Sequence, residues 1–309
     1  MPLWAWILFY ALVIVMLYAD LKLFGRKGQH EVSIKEALQM TCVWIAVSLI
    51  FCAGIGHFEN GDKAMEFLAG YLIEKSLSMD NLFVFLMLFS FFGVQRKYQH
   101  EVLFWGIFGA LILRSIFIFA GAAMVQRFEW ILAIFGVFLI YTGIKMFGHQ
   151  EESVDPSKNI FVKLFKKFFP VTDQMHEDKF FIIENGKRLA TPLFIALLVI
   201  ETTDVAFAVD SIPAVFSVSR DPFIVLTSNI FAILGLRALY FALAAIAQYF
   251  QYLKYGLGII LSFVGVKMLL EVFWHIKVDT PISLLIIFGV LVLSMLASYV
   301  ATLYSRRRQ

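Results

Sequence analysis

Charge is scarce in this sequence. Of its 309 residues, 16% are Asp, Glu, Lys or Arg and 61% are apolar, a balance that excludes an ordinary water-soluble globular domain. Cysteine is scarcer still. Cys42 and Cys52 share one apolar run, which favours small packed residues over a disulfide or a metal pair. No nucleophile motif and no HExxH-like pair occurs, so an enzyme is not expected. The first apolar run has no basic lead-in and no small-residue cleavage site after it; a retained helix is expected in place of a signal peptide.

Long apolar runs are abundant. A hydrocarbon core of about 30 Å takes roughly 20 residues of helix, and at that length the chain divides into nine spans, 3–21, 36–56, 67–93, 102–124, 129–147, 191–218, 223–247, 253–274 and 281–304. The expected fold is therefore all-α, a polytopic membrane protein of about nine transmembrane helices. Basic residues sort the loops. Residues 22–35, 94–101, 148–190, 248–254 and the tail Arg306, Arg307, Arg308 hold 17 Lys and Arg, whereas the alternate loops hold only Lys63, Arg127, Arg220 and Lys277. Positive charge marks the cytoplasmic side, so the amino terminus is expected outside and the carboxyl terminus inside. In the longest loop, Phe161 to Phe169 interleaves aromatics with Lys163, Lys166 and Lys167, an interfacial amphipathic pattern. Asn185-Gly186 then suits a hairpin turn.

Spans three to five superpose on spans six to eight. Ser78-Met79-Asp80 and Phe83 fall on Thr202-Thr203-Asp204 and Phe207, Leu113-Arg114 on Leu236-Arg237, and Gly136, Gly143, Lys145 and Met146 on Gly258, Gly265, Lys267 and Met268. Three spans per unit reverse the second copy in the membrane, giving an inverted three-plus-three repeat with a site expected near the midplane. The division expected is 1–66, two amino-terminal helices; 67–147, the first repeat; 148–190, a cytoplasmic linker; 191–274, the second repeat; and 275–309, a last helix with a basic tail. At 1.5 Å per residue, Asp80 and Asp204 reach similar depths from opposite sides and are expected to face each other.

Spans three and six carry five acids between them: Glu74, Asp80, Glu201, Asp204 and Asp210. Each costs roughly 2.5–3.5 kcal/mol at a helix centre on insertion scales, so function is the default reading. The bland alternative is neutralisation by Arg114 and Arg237 in buried ion pairs, but two arginines leave negative charge in surplus, as a divalent cation or exchanging protons require. Pro213, after Asp210-Ser211-Ile212, is expected to kink or interrupt its helix and free a carbonyl. The six histidines (His30, His57, His100, His149, His176, His275) lie outside the spans or at their edges, and oxygens of Asp80, Asn81, Asp204, Asp210 and Ser211 suit Mn²⁺, Mg²⁺ or Ca²⁺ better than Zn²⁺ or Cu⁺. Lys145 and Lys267 are expected to snorkel.

Three segments carry a resemblance over essentially the whole chain. Glu74-Lys-Ser-Leu-Ser-Met-Asp80-Asn81, Glu201-Thr-Thr-Asp204-Val-Ala-Phe-Ala-Val-Asp210-Ser-Ile-Pro213, and Asp221-Pro-Phe-Ile-Val-Leu-Thr-Ser-Asn229 with Leu236-Arg237-Ala-Leu-Tyr240 resemble the bacterial TerC/Alx family. The resemblance implies membership of the LysE-related transporter superfamily, residence in the bacterial inner membrane, and export of Mn²⁺ linked to alkaline pH, with tellurite resistance in the family's naming. It carries a metal role to Glu74, Asp80, Asn81, Glu201, Asp204, Asp210 and Ser211. Mn²⁺ is then cargo, H⁺ a coupling ion, and neither a prosthetic group nor a nucleic-acid partner is expected. Two rivals stand beside transport: a protein organising a membrane complex in tellurite resistance through 148–190, and a metal or pH sensor without net flux.

Overall fold

A computed structural model describes residues 3–25, 34–128, 130–148, 160–172, 174, 179–184, 186–246 and 252–307; the side chains of 21–25, Met79, Asp80, Phe83, 244–246, Leu253 and 302–307 are outside that description. Asn185 and Arg308 also fall outside it, as do Arg26 and Lys27.

Apolar sequence runs become helices wherever a cap or break bounds them. The helices are α1 (Leu3–Gly25), α2 (Ile34–Phe58), α3 (Gly61–Phe91), α4 (Arg96–Arg127), α5 (Ile131–Lys145), α6 (Ile160–Phe168), α7 (Pro192–Phe216), α8 (Pro222–Leu234), α9 (Leu236–Ile246), α10 (Leu253–Trp274) and α11 (Thr280–Arg307). Caps fix the starts that matter for the site. Asn60 Oδ1 accepts from the Lys63 amide at 2.8 Å, and Thr191 and Asp221 accept from the amides of Phe194 and Phe223 with a proline at the following position, the arrangement helix amino termini favour.

Six helices among the described residues are long and apolar enough to cross a membrane, or seven if the bent pair α8–α9 is one span. The chain is thus a multi-pass, all-α membrane protein, while the expected count of nine is not reached by this measure. Two expected spans account for the shortfall. Helix α5 has 15 residues, short of a full crossing, and α3 has 31 residues but carries Glu74, Lys75 and Asp80 within two turns.

Span seven was expected to be continuous. It breaks at Gly235 with a bend of 41°. Pro213, by contrast, lies inside α7, which runs on to Phe216; its missing N–H leaves the Val209 carbonyl without its intrahelical donor, but the helix is not interrupted there. The expected interruption is therefore corrected from Pro213 to Gly235.

Helices α3, α4, α7 and α8 form the centre, with every residue of α8 from Phe223 to Leu234 buried. Helix α4 lies alongside α7 in parallel, since Gly106 meets Ile200 and Gly121 meets Phe216. Helices α5 and α10 cross in reverse, Gly136 against Gly265 and Gly143 against Gly258. Both contacts are backbone to backbone: a Cβ on Gly143 would stand 2.7 Å from the Gly258 carbonyl oxygen, and one on Gly258 would stand 2.8 Å from that of Gly143. Lipid-facing surfaces remain apolar, with Leu3, Ile14, Leu285 and Leu293 among the exposed side chains.

The long connection after α5 holds α6 and an antiparallel hairpin, β1 (Phe181–Glu184) and β2 (Lys187–Ala190). Gly186 at φ +73° supplies the turn, as the sequence indicated. Helix α6 buries Val162 and packs the Phe165 ring, tilted by 41°, against Phe194 of α7. Its other side leaves Ile160, Phe161, Leu164 and Phe168 exposed beside exposed lysines 163, 166 and 167.

Candidate ion site

Arg114 is wholly buried at the middle of α4. An arginine in such a place needs acceptors for its fork of donors. They come from three helices. Its Nε and Nη2 donate to the two carboxylate oxygens of Asp204 at 2.9 and 2.8 Å, and its Nη1 donates to Glu74 Oε1 and reaches Ser211 Oγ and Asn229 Oδ1 at 3.4 Å each. Glu74, itself fully buried, also accepts from Ser78 Oγ at 3.2 Å and from Asn229 Nδ2 at 2.7 Å. The cluster thus joins α3, α4, α7 and α8 through charge-assisted bonds.

A cavity of about 680 Å³ adjoins this cluster. Asn81, Asp210, Ser211 and Thr142 line it, and it extends to Gly148 and Lys254 at the linker-side ends of α5 and α10. Ser211 touches both the cavity and Arg114. Thr142 Oγ1 donates to Asp210 Oδ1 at 3.4 Å. On the opposite face polar links close the gaps between helices: Lys63 Nζ and Ser219 Oγ both donate to Glu66 Oε2, at 2.9 and 2.5 Å, and Arg220 Nη2 donates to Glu271 Oε1 at 2.9 Å.

Glu201 sits one turn before Asp204. Its carboxylate presses on Gly109 of α4, where a Cβ would overlap it, and its buried Oε2 finds no hydrogen-bond partner among the described residues. Arg237 stands apart from the cluster: its Nη1 faces Asp20 Oδ2 at 3.2 Å and its Nη2 donates to the Asp20 carbonyl at 3.1 Å. Asp20 in α1, an acid the sequence reading passed over, thus takes up the second arginine. Lys75 turns inward and donates to the carbonyl of Ala232 at 3.0 Å. Lys267 is buried and donates to Ser283 Oγ at 3.0 Å, so the snorkelling expected of it is corrected. Cys42 and Cys52 are unbridged, Cys42 exposed and Cys52 donating weakly to the Ala64 carbonyl.

The expected residues therefore divide into three places. Glu74, Asp204 and Ser211 meet at Arg114; Asn81 and Asp210 join Ser211 along the cavity; Glu201 stands beside Gly109. The Asp80 side chain lies outside the description, and no three His, Cys, Asp or Glu side chains among the described residues gather where one metal ion would sit. Asn229, Ser78 and Thr142 complete the polar set.

Residues 59–308 match the integral membrane protein TerC family. The chain belongs to the TerC family. It is 48% identical over 295 residues to an uncharacterised membrane protein, STKORF319, of Myxococcus xanthus, covering 96% of this chain and 92% of the relative. It is 47% identical over 297 residues, covering 93% and 92%, to an Escherichia coli K12 protein provisionally named membrane-bound redox modulator Alx. A Rickettsia bellii membrane protein is 40% identical over 96% of this chain and 97% of its own length. No solved structure matches. Of the polar residues in the segments that resemble this family, Glu74, Asp204, Ser211 and Asn229 meet at Arg114 and Asn81 and Asp210 line the adjoining cavity, whereas Glu201, Lys75 and Arg237 lie elsewhere.

Proposed function

We propose that this TerC protein is a secondary transporter that exports Mn²⁺ across the bacterial inner membrane, with the linker face in the cytoplasm, the amino terminus outside and the carboxyl terminus inside. One observation carries the reading. A cavity reaching in from the linker face ends on Asp210, Asn81 and Ser211, next to an arginine that occupies two further carboxylates, Glu74 and Asp204. Arg114 acts there as an internal substitute cation. A hard divalent ion entering from the cavity first meets Asp210, Asn81, Ser211 and Thr142, all oxygen donors of the kind Mn²⁺ accepts. Recruiting Asp204 and Asp80 then requires Arg114 to let go, so ion arrival and rearrangement are one event. Glu201, whose carboxylate is not held by Arg114, is the proton-exchanging group; Glu74, with three partners, holds the cluster.

The test is Mn²⁺ efflux in everted vesicles and proteoliposomes. Asp204→Asn, Asp210→Asn and Asp80→Asn are each expected to cut the rate at least tenfold, and Glu201→Gln to flatten its dependence on pH while leaving Mn²⁺ binding in place. Efflux at the wild-type rate in all three aspartate variants would sink the assignment. Absence of flux in the wild type, with binding retained, would favour the sensor reading. A redox role through a dithiol within one chain finds no support, because Cys42 and Cys52 lie ten residues apart on α2, about 15 Å at helical rise, beyond the span of a disulfide.

A further inference from the structure

Helix α6 has three unlike sides. At about 100° of rotation per residue, Val162 and Phe165 share one of them, and that side meets the protein: Val162 is buried and the Phe165 ring lies 5.1 Å from that of Phe194 on α7. Ile160, Leu164 and Phe168, spaced four residues apart, form a second stripe whose residues are 76, 52 and 72% exposed. Lys163, Lys166 and Lys167 take the remaining side; all three are exposed, and none is ion-paired among the described residues. A helix that packs on its own protein alone needs one apolar stripe; α6 has two.

The contacts of α6 fix its depth. Helix α7 starts a membrane-length apolar run at Pro192, and the chain leaving α6 is tied to that point by backbone bonds. The Ala190 amide donates to the Pro170 carbonyl at 3.0 Å, the Thr172 amide to the Ala190 carbonyl at 2.9 Å, and the Thr191 amide to the Phe180 carbonyl at 3.0 Å. The Phe194 ring is held from two directions, by Phe165 of α6 and, at 4.6 Å, by Phe181 of β1. Helix α6 therefore lies level with the first turn of a span, where a bilayer passes from headgroup to acyl chain. At that level hydrocarbon is within reach of the apolar stripe and phosphate within reach of the lysines.

We propose that α6 is a binding site for anionic lipid, with Ile160, Leu164 and Phe168 entering the acyl boundary beside α7 and Lys163, Lys166 and Lys167 binding the phosphates of the headgroups. Charge selects the occupant. Three ammonium groups beside an apolar stripe are drawn to a surface of negative headgroups and gain little from a zwitterionic one. Lys187 and Arg188 of the hairpin, also exposed, enlarge the positive field of the same unit. The site is separate from the Arg114 cluster and independent of what the protein transports.

The test uses the full chain in a Cys42→Ala, Cys52→Ala background, carrying an environment-sensitive fluorophore at Leu164→Cys or Phe168→Cys, in nanodiscs of phosphatidylcholine with or without phosphatidylglycerol. Quenching by lipids spin-labelled on the acyl chain near the headgroup reports entry of the stripe. It is expected to be about twofold stronger or more with phosphatidylglycerol, and to fall back in high salt. Replacing the three lysines together, Lys163→Gln, Lys166→Gln and Lys167→Gln, is expected to abolish the difference, and the corresponding Lys→Arg changes to keep it. A label at Leu293→Cys on α11, a lipid-facing position, is quenched in both discs and certifies the quencher, while monodisperse elution certifies the fold of each variant. Equal quenching in the two lipids overturns the proposal, as does a lipid difference that survives the Lys→Gln changes. A label shielded in both discs from lipid-borne quencher and from aqueous iodide overturns it too, because the stripe is then covered by protein, either residues 149–159 or a second copy of the chain.

Discussion

Arg114 has no exposed surface and bonds to carboxylates on two helices besides the one it comes from. Removing such a group strands two buried acids, a loss of about 3–5 kcal/mol when one partner of a buried pair is deleted. Arg114→Gln is therefore expected to lower the melting temperature in detergent by several degrees, measured by tryptophan fluorescence, and Glu74→Gln in the same chain to recover part of that loss by removing one stranded charge. The sequence singled out Arg114, Glu74 and Asp204 because charge in lipid is costly enough to need a reason. It passed over Asn229 and Gly109, since an amide or a glycine within an apolar run carries no such cost, and only the folded contacts reveal that one bonds Glu74 and the other makes room for Glu201. Asp20 was missed for a related reason: near the end of a span an acid looks solvated.

The crossing of α5 and α10 depends on glycine at four places, where backbones touch. Gly143→Leu is expected to separate the helices, since even a Cβ there would overlap Ser262 Oγ and the Gly258 carbonyl; size-exclusion profiles and efflux should both collapse. Gly289→Ala on α11, with open space around it, is the neutral control. Element boundaries were legible where a cap or turn residue speaks locally, as at Thr191-Pro192, Asp221-Pro222 and Gly186. The break at Gly235 was not legible: a glycine within an apolar run is compatible with a straight helix, and what bends this one comes from Lys75 and Trp44, far away in sequence. Pro213 misled for the opposite reason, being a strong local signal at a position where the helix is about to end. The amphipathic stretch at 161–169 was read closely, and its structure adds a mechanical link: α6 rests on Phe194, at the start of the helix that carries Asp204 and Asp210.

At the scale of the whole molecule, the short α5 and the cavity beneath it make the protein electrically thin. The cavity from Gly148 to Ser211, with Asn81, Thr142 and Asp210 among otherwise largely apolar walls, is wide enough to hold water and counter-ions beside the Arg114 cluster, while the opposite half is closed by apolar packing and by the links of Glu66 and Glu271. A transmembrane voltage falls where mobile charge is excluded, so it falls between the cavity floor and the far face, not evenly across the bilayer. In the proposed transport cycle an ion would reach Asp210 having crossed little of the field and would meet most of it in the next step, each elementary charge being worth about 2.3 kcal/mol per 100 mV. Efflux from liposomes clamped with potassium and valinomycin is expected to depend steeply on voltage, while Mn²⁺ affinity measured from the linker side stays nearly flat. In the proposed transport cycle such a cavity would act as a conductor, carrying the potential of one compartment to the floor of the site and concentrating the driving force on the step in which metal replaces arginine.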